Sequence, residues 1–336
     1  MKDASRWSVR ISWQWVVYTL LTVTIVLWVL GWFLSKEPNS FSVQQAVQAS
    51  AKQLNLEPVK GFATTTAVIE VTTTLTSKRG GYMSNDILPP TSLLDNLPAW
   101  EFGAIQMTRD MLLALRNDFS RSQSQSIENA NLTTAQPAMN IDHTSWFAPT
   151  AEDEYRKVAS ELSQYRLALA DPNDHSAQFY ARSDNLRRYI QEIEKRLGSL
   201  SRRLSASVAR VETDISLAGD LASTQSTKTP SAVAVKTSWW QIDDVFYEAR
   251  GASWALAHYL KAIELDFADV LANKNALISL QQIIRELESS QQDLWSPMVL
   301  NGSGFGLLAN HSLVMANYLS RANAALIDLR NLLAEG

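Results

Sequence analysis

Few residues in this sequence stand at spacings that do chemistry. The four histidines, His143, His175, His258 and His311, are scattered. No His-Glu-x-x-His pair puts two imidazoles on one helix face. Scattered histidines are usually surface or satisfied core residues, so no metal site is expected. Gly302-Ser303-Gly304-Phe305-Gly306 precedes a helix-patterned stretch. Glycines let the backbone approach an anion closely, and free N–H groups at a helix start can hold it. Gly302, Ser303 and Gly304 are therefore a possible anion-binding turn. The Walker lysine is absent and no strand precedes, so both nucleotide fingerprints fail. A tight turn packed on Phe305 is the plainer reading.

Asp243, Asp244 and Glu248 open another helix-patterned stretch. Two acids one turn apart could do acid–base work. Acids in a first turn are also the normal partners of the helix dipole, and no basic or nucleophilic neighbour accompanies these. Serines abound without a Gly-x-Ser-x-Gly elbow. Trp100, Trp146, Trp239, Trp240, Trp254 and Trp295 are residues that more often fill a core than stack a ligand. No catalytic residue and no cofactor is expected, and an enzyme of envelope polymers is the least favoured reading.

The densest functional signal is basic. Arg188, Lys195 and Arg202 recur at steps of seven, as do Arg196, Arg203 and Arg210. Such steps place each set along one side of a helix. Nearby acids are few: Asp184, Glu192, Glu194 and Glu212. The bland reading is a solvated flank. The functional reading is a strip for an acidic protein partner or for lipid headgroups.

These residues hang on a chain organised by one apolar run. Trp15 to Leu34 carries no charge and is long enough, at about 1.5 Å per residue, to cross a ~30 Å hydrocarbon core. Trp13, Trp15, Trp28 and Trp32 flank it, as indoles do at both interfaces. Lys2, Arg6 and Arg10 precede it, which predicts a cytoplasmic tail (1–14) and an outer bulk. The run is longer than the ~7–15 apolar residues of a cleaved signal, so an uncleaved single-pass anchor is expected.

The absence of cysteine excludes disulfides and thiolate sites. The net charge of −4 gives no argument for nucleic acid. Sparse, clustered glycine and proline favour long helices. Apolar periodicity predicts helices over 40–56, 62–77, 100–119, 150–170, 240–265, 267–290 and 307–333. Residues 80–100 and 120–149 read as loops. The longest helix is expected from 177 to 217. Its seam of Leu186, Ile190, Ile193, Leu197, Leu200, Leu204, Val208, Val211 and Ile215 is nearly heptad and must meet a helix of this chain or of a second copy, most simply the segment from Thr150 as an antiparallel hairpin. Ser, Thr and Ala dominate 218–238, which predicts a flexible linker between a lobe over 38–217 and a C-terminal lobe over 239–336. The fold class is all-α: one transmembrane helix, then a helical bundle.

Four strings resemble a known family: Gly80-Gly81-Tyr82-Met83-Ser84-Asn85-Asp86-Ile87-Leu88-Pro89-Pro90, Arg116 to Ser126, Ala177-Gln178-Phe179-Tyr180-Ala181-Arg182, and Asn301 to Gly306. Together they resemble a proteobacterial membrane-anchored family, domain of unknown function 2333. The resemblance covers nearly the whole chain after the anchor and carries no catalytic residues. It implies a Gram-negative inner membrane with the bulk in the periplasm. The expected function is a non-enzymatic scaffold or adaptor of the cell envelope that binds a protein partner or a second copy. The alternative is a helical module holding a lipid or other amphiphile.

Overall fold

The computed structural model describes residues 13–122, 127–208, 210–213, 232–296, 298–304 and 306–335. Eleven α-helices are described: α1 (Trp13–Leu34), α2 (Val43–Leu54), α3 (Phe62–Ser77), α4 (Asn96–Ala114), α5 (Ala130–Met139), α6 (Ala151–Ala170), α7 (Ser183–Ser205), α8 (Ile242–Asp266), α9 (Ala268–Asn273), α10 (Leu277–Ser289) and α11 (His311–Ala334). A wider π turn, Leu115–Phe119, extends α4. The fold is an all-α bundle led by one helix long and apolar enough to cross a membrane.

The bundle is built on α4 and α8, which touch backbone to backbone. A Cβ at Gly103 would lie 1.9 Å from the Glu248 carbonyl oxygen, and one at Gly251 would lie 1.8 Å from that of Trp100. Only glycine permits so close a crossing. Next to it α3 is almost wholly buried. Its threonines favour strand by propensity, yet burial decides for helix, and Thr65 and Thr74 return their hydroxyls to the carbonyls of Gly61 and Glu70, each at 2.7 Å.

Four expectations are corrected. The long helix ends at Ser205; Arg210–Thr213 (β1) instead pairs antiparallel with Ala232–Val235 (β2). Thr237 donates its N–H to Ala206 at the helix end. Valines and threonine in this tract suit a strand ladder as well as a helical step, and long-range pairing decides. Secondly, α7 does not pair with α6. It lies along α11, while α6 lies on α3 and α5. The intervening 171–182 is without helix, and an extended stretch of about 12 residues reaches roughly 40 Å, so chain adjacency does not force a hairpin. Thirdly, the loop over 120–149 contains α5, begun by the Asn129 side chain accepting from the N–H groups of Asn131 and Leu132.

The seam on α7 survives as far as Leu204. Leu186, Ile190, Ile193, Leu197, Leu200 and Leu204 are buried, and α7 lies along α11, which buries Met315, Leu319, Ala322 and Leu326. One hydrophobic core draws on helices from both sides of 218–238. The linker itself, up to residue 231, lies outside the described residues, as does most of the N-terminal tail. Fourthly, the expected helix over 267–290 is two helices, because Asn275 turns left-handed (φ 51°) between α9 and α10.

Candidate functional site at the root of the apolar helix

The chain does not dangle from α1. Gly31, in its last turn, is buried under Leu94, 3.5 Å from where a Cβ would stand. Leu34 reaches Gly80, and the Arg79 guanidinium lies 5.2 Å from the Phe33 ring. Three residues after α1, Glu37 receives the buried Arg250 guanidinium at 2.7 and 2.8 Å. The same guanidinium donates to the carbonyls of Ser290 and Gln292. One cation thus ties the root of α1, the middle of α8 and the end of α10. No local spacing points to this pair, because Arg250 lies 213 residues further along the chain.

Phe41 continues this root. Its backbone N–H donates to His258 Nε2 at 3.1 Å, and its ring stacks on the imidazole at 4.0 Å between centroids. His258 Nδ1 is 2.7 Å from the Trp254 carbonyl. An Nε2 that accepts leaves Nδ1 as the donor, so the ring is neutral. Burial pushes its pKa down to about 4.

A second buried knot closes the loop beside α1. Glu101 of α4 pairs with Lys78 and accepts from the N–H groups of Met83 (2.9 Å) and Ser84 (2.8 Å) and from the Ser84 hydroxyl (2.5 Å). Burial raises the pKa of this carboxyl; Lys78, Ser84 and the Met83 N–H pull the other way. Asn85 then donates to the Ser145 carbonyl and to Glu152, pinning the 142–149 loop to the same end.

The basic strip divides in two. Arg196 forms a bidentate pair with Asp110 of α4 at 2.8 and 2.9 Å, and Arg203 one with Glu248 of α8 at 2.6 Å twice. These residues stitch α7 to the central pair. Arg188 reaches Asp118 at 2.9 Å while staying largely exposed. Among the described residues Lys195 pairs with Glu192 on its own helix alone, and Arg202 is exposed. Arg210 falls in β1, off the helix.

Glu248, one of the three acids, is therefore occupied by Arg203. Asp244 is left beside Asp243 and Asp95, and its pKa rises to about 6 through burial and those like charges. In the glycine turn, the Gly302 N–H donates to the Ala309 carbonyl, and Asn310 caps α11 by accepting from Leu313. Those N–H groups have partners within the protein. A solvent-open cleft of about 560 Å³, lined by residues including Gly304, Leu308, Asn317 and Arg321, lies beside the turn. Among the described residues no cluster of three metal-ligating side chains occurs. His143 accompanies Asp142, and His311 accepts from the Leu300 N–H.

An apolar leading helix fastened into a helical bundle by buried ion pairs defines the class of protein. The chain belongs to the family DUF2333, described as an uncharacterized protein conserved in bacteria, which it matches over residues 7–336. No curated protein and no solved structure matches it.

Proposed function

We propose that the protein is a non-enzymatic scaffold or adaptor, anchored by α1 in the bacterial inner membrane, that presents its periplasmic bundle to an envelope partner. The observation that carries this reading is the rigid root: Glu37–Arg250 and Phe41–His258 lock the chain into α8 within seven residues of the helix end. A tether for a freely ranging domain needs no such root, whereas a surface held at fixed height and angle does. The outward row of α7, Arg188, Lys195 and Arg202, is the partner surface; Arg196 and Arg203 hold the bundle together. Because paired surface charges contribute little to stability, reversing Lys195 and Arg202 leaves the fold intact. The test is extraction of the full chain in mild detergent, followed by identification of stoichiometric co-purifying protein. The double variant Lys195→Glu/Arg202→Glu should lose that protein while keeping its melting temperature. Unchanged recovery overturns this surface.

A further inference from the structure

We propose that the root end of the bundle is itself a lipid-contacting face, seated in the headgroup–acyl boundary of the membrane that α1 crosses. The inference rests on α1 being a membrane span. Among the described residues, every exposed tryptophan and phenylalanine outside α1 lies at this one end. Trp146 and Phe147 follow Ser145, whose carbonyl is held by Asn85. Trp239 and Trp240 stand immediately before α8, whose first turn faces Asp95 and whose Tyr247 faces Glu37. Trp295, 96% exposed, comes three residues after the Gln292 carbonyl bound by Arg250. Between them runs the 87–93 loop, where Ile87, Leu88 and Leu93 are exposed and the next residue, Leu94, covers Gly31 of α1.

At the other end of the helices the exposed large apolar residues are aliphatic: Ile127, Leu265, Leu277 and Ile278. Indole carries a large apolar surface with one polar N–H, the chemistry suited to the bilayer interface. Loops bearing such groups around an emerging apolar helix form a collar continuous with it. Lipid is the occupant argued here, because the patch adjoins α1 on the same side as the helix exit. The recognition is apolar and not ionic. Asp95, Asp243 and Asp244 share this end, so anionic lipid is not required.

The chain has no native cysteine, so single reporters are clean. Leu88→Cys, Trp240→Cys, Trp295→Cys, Ile278→Cys and Ile25→Cys are each placed in the full chain and labelled with bimane. They are then reconstituted in phosphatidylcholine vesicles containing lipid with a nitroxide high on the acyl chain, or, for the label at 25, near the end of the acyl chain. Labels at 88, 240 and 295 should be quenched several-fold more than the label at 278, whose side chain is exposed at the far end. Quenching at 25 but not at 88, 240 and 295 overturns the collar while leaving the anchor standing. No quenching at 25 overturns both. Labels at 88, 240 and 295 that are shielded from water yet unquenched put a second copy or a protein partner on this face, and overturn the lipid assignment.

Discussion

At the root end, acids meet cations: Glu37 with Arg250, largely taken out of water, and Glu101 with Lys78, wholly so, both pairs completed by backbone groups. At the far end the buried acid, Asp266, meets no cation among the described residues. It caps α3, accepting the Thr64 N–H at 2.7 Å and its hydroxyl at 2.6 Å, where the positive end of the helix dipole takes the role of a counter-charge. Burial raises the Asp266 pKa against those bonds. The two ends also differ outside, with indoles around α1 and aliphatic side chains opposite. The difference shows where the bundle must be tied to something and where it need only close. A cap fixes one helix end. A cation with several acceptors fixes three segments at once.

The sharpest way to break this contrast is Arg250→Ala. It strands the Glu37 carboxylate and the carbonyls of Ser290 and Gln292, and removing one partner of a buried ion pair costs about 3–5 kcal/mol. Denaturant unfolding of the full chain in detergent should show that loss, with faster proteolysis near residues 35–40. A loss below about 1 kcal/mol, the size of an exposed pair, would make the root an ordinary surface contact.

The second prediction concerns pH. The folded state holds His258 neutral with a pKa of about 4, against 6.5 for a free imidazole. The unfolded chain therefore binds the proton more readily. Stability should be full above about pH 6.5 and fall as the pH drops toward 4, by on the order of 3 kcal/mol. The check is unfolding at several pH values for the wild type and His258→Gln; the variant should lose this part of the slope. Equal slopes would remove His258 from the account.

The smallest effect is expected at the far end. Asp266→Ala removes the cap from the Thr64 N–H and should cost about 2 kcal/mol, read as a lower denaturation midpoint with the root contacts intact. A cost exceeding that of Arg250→Ala would reverse the comparison.

Much of the helical content was readable because amphipathic periodicity is local. The stretches over 62–77, 150–170 and 240–265 match α3, α6 and α8 closely. The same signal erred at 206–208 and 210–213, where steps of three and four also suit other backbones and the partner strand lies beyond the range of any pattern. It missed α5, whose two large apolar residues, Leu132 and Met139, and internal Pro137 leave little periodicity. The candidate site fared similarly. The basic strip was visible as charge spacing on α7, but spacing alone does not show that Arg196 and Arg203 turn inward to Asp110 and Glu248.

By itself the sequence determined one uncharged run long enough to cross a bilayer, the predominance of helix and the absence of thiol chemistry, because these depend on composition and on neighbours a few residues apart. Only the tertiary structure decided that α7 belongs to α11, that Gly103 and Gly251 let α4 and α8 touch, and that Glu37 belongs to Arg250. Those choices compare burial and charge pairing between segments up to some two hundred residues apart, and no local pattern encodes which distant surface fits best.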